Sequence, residues 1–221
     1  LNIDPNHFES IFLLGTLSAQ SQNFEEAKQL LQKAIVINPN HPQAHYNLGL
    51  VFIELSEIQK AKDCFGKVIQ VQPNYTDAHN NLGNLLKELG KIHDAESCYK
   101  KAIQINPNYT NAYNNLGTIF QKYKDFQEAI RLYEKTIQLN PNFASPYNNL
   151  GLIFHELEEY QKAINSYEKA IEIKPDYEEA HSSLGKVFKE LGDFESAKNC
   201  FKKALKYKPT DLISLYHLNE L

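Results

Sequence analysis

The sequence predicts an all-α array of repeated helical hairpins, on three observations. Proline recurs at Pro5, Pro39, Pro73, Pro107, Pro141, Pro175 and Pro209, each 34 residues after the last. Glycine keeps the same step at Gly15, Gly49, Gly83, Gly117, Gly151 and Gly185, each preceded by leucine, and so does alanine at Ala27, Ala61, Ala95, Ala129, Ala163 and Ala197. Between successive prolines, two stretches carry apolar residues at helical spacing. A fixed period of this length marks stacked supersecondary units, each too small to bury its apolar face alone.

Residues 76–109 illustrate one unit. In the first stretch, Asp77 to Leu89, residues Ala78, Leu82, Leu85, Leu86 and Leu89 form one apolar stripe. Gly90-Lys91 breaks the pattern, since glycine favours a helix end. The second stretch, Ile92 to Ile105, puts Ile92, Ala95, Tyr99, Ala102, Ile103 and Ile105 on its apolar side. Asn106 ends it, because the residue before a proline avoids the helical region. Two helices joined by a short turn make an antiparallel hairpin. Gly83 and Ala95 allow the paired helices to approach closely, and Tyr99 fills the space beside them.

This register divides the chain into six complete units: 8–41, 42–75, 76–109, 110–143, 144–177 and 178–211. Residues 1–7 resemble the tail of a preceding repeat (compare Ile37 to His41), and 212–221 match the start of a seventh first helix. With no methionine in its 221 residues, the chain reads as a piece of a longer array. A formal net charge of −4 argues against a dedicated nucleic-acid binder, which needs clustered Lys and Arg. No apolar run approaches the roughly 20 residues of a membrane span, so neither partner is expected.

The pattern Leu82-Gly83, Leu86, Ala95, Tyr99, Ala102 and Pro107 resembles the tetratricopeptide repeat, and six in-register copies make the resemblance specific. Departures are few. Val68 and Thr136 replace an alanine, Ser18 replaces an aromatic residue, and Asn219 stands where glycine is expected. The resemblance implies a right-handed superhelical solenoid whose first helices line a concave groove. Counting each unit from its first residue, it implies that positions 2, 5, 6, 9, 12 and 13 face that groove.

Position 6 carries Leu13, Asn47, Asn81, Asn115, Asn149 and Ser183. Position 5 carries Phe12, Tyr46, Asn80, Asn114, Asn148 and Ser182. Asn84, Asn111 and Gln121 add carboxamides at other groove positions, and His155 lies at position 12. A carboxamide offers both a donor and an acceptor. A ladder of them suits the peptide bond, so these residues predict an extended polypeptide ligand held largely by its backbone. In this respect the array is similar to the repeat domains of O-linked N-acetylglucosamine transferases. A blander reading stands beside this one, in which the asparagines bond to neighbouring helices and stabilise the stack.

The groove changes along its length. Phe12, Leu13, Tyr46, Leu50 and Ile53 make its first part apolar, either as local packing under a missing repeat or as a self-association surface. Glu179, Lys186, Lys189 and Glu190 make its last part charged, a solvated face. Leu212, Ile213, Leu215, Tyr216, Leu218 and Leu221 give the final segment none of the polarity of a terminal cap.

No catalytic constellation emerges, and no metal or cofactor is expected. Family members that clamp a C-terminal carboxylate use Lys and Arg, whereas the matching residues Asn80, Asn84, Asn115, Ser145 and Asn149 include no cation. Cys64, Cys98 and Cys200 share position 23. Packed helices sit roughly 8–10 Å apart, beyond the ~4.4–6.8 Å between Cα atoms that a disulfide spans. Free thiols in a reducing, cytoplasmic compartment are therefore expected. His45, His79 and His181 share position 4 with Tyr113 and Tyr147, which reads as ring packing. The sequence thus predicts a non-enzymatic protein-interaction scaffold. Its rivals are the substrate-recognition arm of a larger enzyme such as a glycosyltransferase, and a self-associating structural scaffold.

Overall fold

The structure is a computed structural model that describes residues 7–220, so the expected repeat tail at 1–7 falls almost wholly outside the described residues, as does Leu221. The described residues contain helices and no strand. In order these are α1 (Phe8–Gln20), α2 (Phe24–Ile37), α3 (Pro42–Glu54), α4 (Ile58–Val71), α5 (Thr76–Glu88), α6 (Ile92–Ile105), α7 (Thr110–Lys122), α8 (Phe126–Leu139), α9 (Ala144–Glu156), α10 (Tyr160–Ile173), α11 (Glu178–Glu190), α12 (Phe194–Tyr207) and α13 (Leu212–Asn219). They form two compact units, one ending at Ala112 and one beginning at Tyr113. In the first unit α1, α3 and α5 pair with α2, α4 and α6, and α2 and α4 pack on α3 and α5. In the second, α9 and α11 pair with α10 and α12, while α8, α10 and α12 pack on α9, α11 and α13.

The turn inside each hairpin is set by one residue at position 15. Gln22, Ser56, Lys124 and Glu158 hold φ near +60°, and Gly90 and Gly192 lie at +74° and +79°. The next amide then reaches back to the carbonyl at position 11, as in Glu57 N to Phe52 O at 2.8 Å and Lys91 N to Leu86 O at 2.8 Å. This pair of features closes the first helix in a Schellman motif. The second helix stops because proline follows. Asn106 is extended, at φ −130° and ψ 97°.

The repeated small residues set the spacing within each hairpin. A Cβ added to Gly83 would lie 2.6 Å from the Tyr99 ring, and the same pairing links Gly49 to Phe65, Gly151 to Tyr167 and Gly185 to Phe201. The position-20 alanines are wholly buried, as are Val68 and Thr136 at position 27. Thr136 fits there because its hydroxyl donates to Leu132 O at 2.8 Å. In the first unit, Leu48 and Val51 are buried where α3 meets α2. Leu14 and Leu17, their equivalents on α1, are more than half exposed.

Position 4 explains the interchange of histidine and tyrosine. The Nε2–H groups of His45, His79 and His181 donate to the carbonyls of Pro39, Pro73 and Pro175 at 2.8–2.9 Å. The Tyr147 hydroxyl donates to Pro141 O at 3.2 Å. Each ring ties a first helix to the loop before it. His181 is 2% exposed, and burial pushes its pKa below the ordinary 6.5.

Gly83→Ala drives a Cβ into a buried ring, and overpacking costs about 1–3 kcal/mol, more than the helix propensity gained. Gly66 sits on α4 with nothing within 4 Å of its added Cβ, so Gly66→Ala should stabilise by about 1 kcal/mol. Urea midpoints should therefore move in opposite directions.

At position 15, a left-handed non-glycine residue costs roughly 1–2 kcal/mol. Ser56→Gly should raise the urea midpoint, and Gly90→Ala should lower it.

The depressed pKa of His181 means that the unfolded chain takes up the proton first. Stability should hold above pH 6.5 and decline as pH falls below it. His181→Tyr, which copies Tyr147, should flatten that decline in denaturation curves recorded on both sides of 6.5.

Candidate functional site

The carboxamides expected to line the groove divide into two sets. Asn80, Asn114 and Asn148, at position 5, are 4%, 7% and 3% exposed. This corrects their expected place on a ligand-facing surface. The reason is visible at Tyr46, the same position one repeat earlier. Its ring lies against Phe65, with centroids 5.7 Å apart, and against Tyr75 at 5.1 Å. Position 5 therefore points into the wall between the first helix, the position-24 ring and the position-34 ring. An asparagine there is too short to emerge.

The position-6 asparagines stay partly open, and those of the first unit are held in place. Asn47 Nδ2 donates to Thr16 Oγ1 at 3.0 Å, and Asn47 Oδ1 accepts from Gln43 at 2.8 Å. Asn81 Nδ2 donates to the Tyr46 hydroxyl at 3.0 Å. In the second unit Asn149 lies near the Tyr133 hydroxyl and opposes the rise of its pKa. The bonds to Thr16 and Tyr46 each run from a first helix to a hydroxyl of the preceding repeat. Asn115, also at position 6, is partly exposed and has bonding partners of its own.

Two of the remaining groove amides are tied to tyrosines of their own repeat. The Tyr99 hydroxyl donates to Asn84 Oδ1 at 2.8 Å, and that of Tyr133 to Gln121 Oε1 at 2.7 Å. Asn111 is exposed, near the Tyr109 hydroxyl, which donates to Asp77 Oδ1 at 2.6 Å. Burial raises the pKa of Tyr46 to about 12 and pushes those of Tyr99, Tyr109 and Tyr133 upward too. All four hydroxyls keep their protons at neutral pH. His155 is also engaged, with Nε2 2.9 Å from Glu190 Oε2.

The apolar candidates are equally mixed. Leu13 and Leu50 are exposed, at 56% and 38%. Ile53 is half-buried against the first unit's core, and Phe12 is half-buried with its ring stacked on Phe8 and tilted over His41. Tyr46 is held by the contacts already described. At the other end, Lys189 is no solvated charge. It binds Glu220 beyond α13 and lies 3.1 Å from His217 Nδ1.

Sequence reasoning missed the hydroxyls of Thr16, Tyr46, Tyr99 and Tyr133 that hold the amides. One signal was present. Position 24 uses tyrosine where phenylalanine fills the same space beside the glycine, as Phe65 and Phe201 do. At Tyr99 and Tyr133 the extra hydroxyl performs a polar task, whereas that of Tyr167 is buried with no hydrogen-bond partner among the described residues. Burial raises the pKa of Cys64 to about 12 and those of Cys98 and Cys200 to about 11. These protonated thiols are weak nucleophiles and weak metal ligands. Among the described residues no cluster of three His, Cys, Asp or Glu could hold a metal ion. No described helix is long and apolar enough to cross a membrane.

Comparison with known proteins adds to this geometry. A tetratricopeptide repeat model matches 42–75, 76–109, 110–143 and 178–211, a related repeat model matches 15–56 and 151–192, and a third matches 132–165. No curated protein sequence matches. Among solved structures, the chain is similar to the anaphase-promoting complex hetero-tetramer Cut9-Hcn1, with TM-score 0.86 and 17% identity, over 97% of this chain but 43% of that one. It is similar to PilF of Pseudomonas aeruginosa, with TM-score 0.83 and 23% identity, over 97% of each chain. It is also similar to MamA, with TM-score 0.62 and 30% identity, over 73% of this chain and 95% of that one. Proteins of this repeat type are typically non-catalytic scaffolds that bind protein or peptide partners. Four repeat matches that together span more than half of the chain place it in the tetratricopeptide repeat family.

Proposed function

We propose that this chain binds an extended polypeptide through the position-6 carboxamides of its first helices and is not itself an enzyme. The observation that carries the reading is how those carboxamides are held. Asn47 and Asn81 are each fixed by a hydroxyl of the preceding repeat, yet both remain partly exposed, as does Asn149 at the same position. A carboxamide has two N–H groups and two lone pairs, so one stacking bond leaves hydrogen-bonding capacity for a ligand. A side chain already fixed loses little rotamer freedom on binding, which lowers the cost of association. Asn115 belongs to the same set by position. Asn80, Asn114 and Asn148 are buried and stand outside this set.

The bond to the preceding repeat also makes these asparagines structural, so the test must separate the two roles. Peptides would be selected from a displayed random library on the wild-type array. Affinity would then be measured for Asn81→Ala, Asn115→Ala and Asn149→Ala combined, with helicity confirmed by circular dichroism. The expected outcome is a lower urea midpoint, from about 1 kcal/mol lost per bond, together with binding at least about tenfold weaker. A lower midpoint with unchanged affinity in the folded variant would leave the amides purely structural.

A further inference from the structure

A pocket of about 300 Å³ opens in the first unit between α1 and α3, beside the start of α2. Its floor is Ala19, Phe24, Leu50 and Val51, and Gln20 and Glu54 also line it. Its two other polar members are satisfied within the protein. Thr16 Oγ1 donates to Phe12 O at 2.9 Å and accepts from Asn47 Nδ2 at 3.0 Å. What remains accessible is an apolar hollow at groove positions 9 and 12, next to the fixed carboxamide of Asn47. Leu50 is 38% exposed there, although its neighbour Val51 is buried.

Charge says what would lie beside that hollow. Glu54 is exposed and has no ion-pair partner among the described residues. At the groove positions of the first three repeats stand the carboxylates of Glu9, Glu54, Asp77 and Glu88, against the single ammonium of Lys87. A carboxylate at the edge of an apolar hollow, on a groove stretch with more carboxylates than ammonium groups, matches a cationic segment with an apolar anchor, and it disfavours an acidic one through like-charge contacts.

We propose that this pocket takes one aliphatic side chain of an extended segment, with lysine or arginine next to it facing Glu54. The proposal rests on the groove reading and adds to it a sequence preference. A hollow of this size accepts a leucine side chain, and burying one improves binding by roughly ten- to a hundredfold.

The probe is a short fluorescein-labelled peptide with one leucine flanked by lysines in a serine and glycine background, followed by anisotropy. One comparator replaces the leucine with alanine, and another replaces the lysines with glutamates. Two protein variants copy residues from equivalent positions of other repeats, so the helices accept them. Ala19→Ile copies Ile53 and fills the pocket, and Glu54→Lys copies Lys122 and reverses the rim charge.

Wild type should prefer the leucine peptide over its alanine comparator by at least about tenfold. Ala19→Ile should abolish that preference, and Glu54→Lys should invert the preference for lysine flanks over glutamate flanks. Equal affinity of wild type for the leucine and alanine peptides would overturn the proposal, as would a preference that survives Ala19→Ile. If library-selected peptides still bind and still depend on Asn81, Asn115 and Asn149, the pocket alone has failed. If neither the labelled nor the selected peptides bind, the groove reading fails with it.

Discussion

The contact on which the rest depends is that between the glycine of a first helix and the ring at position 24 of its partner helix. An added Cβ would come within 2.5–2.8 Å of that ring in the repeats where the ring is Phe65, Tyr99, Tyr133, Tyr167 or Phe201. Real side chains do not approach so closely, so the pair fixes how near the two helices lie. With that spacing set, the position-20 and position-27 side chains have room only for small groups, and they are wholly buried. In the first repeat the ring is replaced by Leu31, and Gly15 meets Leu31 at 3.0 Å instead. The close approach therefore outlasts the aromatic residue that usually makes it.

The same contact places the polar chemistry. A tyrosine pressed against the glycine carries its hydroxyl through the hairpin to the side where the groove amides stand. Tyr99 reaches Asn84 and Tyr133 reaches Gln121. Where position 24 has no hydroxyl, another residue of the preceding repeat supplies one. Phe65 is bypassed by Tyr46, which receives Asn81, and Leu31 by Thr16, which receives Asn47. The amide is held in each case though its partner differs. The two readings of the asparagines, stacking and ligand binding, are consequently not exclusive. The stacking bond is what gives a partly exposed carboxamide one orientation.

How much of this was legible in the sequence depends on what each feature needs. The helices, their partners and the glycine–ring contact were readable, because packing demands the same residue size in every repeat. The left-handed turn was readable only at Gly90 and Gly192. Gln22, Ser56, Lys124 and Glu158 adopt the same backbone without a glycine to announce it, since tertiary packing over-determines the turn. The sequence did not distinguish position 5, where the asparagines are buried, from position 6, where they are partly exposed. Both positions carry asparagine in the NNLG runs, and adjacent residues on a helix differ by about 100° in direction. Composition cannot separate a buried asparagine from an exposed one. Tyr46 could have done so, because a large ring at position 5 needs a wall to rest on.

Variation along the first unit is therefore more informative about ligands than the repeat itself. Residues that recur, such as Gly83 and Ala95, are accounted for by packing and leave nothing for recognition. Positions 9, 12 and 13 carry no packing demand strong enough to fix them, and they change from Thr16, Ala19 and Gln20 to Leu50, Ile53 and Glu54 to Asn84, Lys87 and Glu88. Ala19 is the smallest side chain at position 12 in the array, and its size is what leaves the hollow open between α1 and α3. An isoleucine at that position, as in the next repeat, projects into the same space. The selectivity of such a scaffold thus resides in departures from its period, and the first place to read it is where a small residue interrupts a row of larger ones.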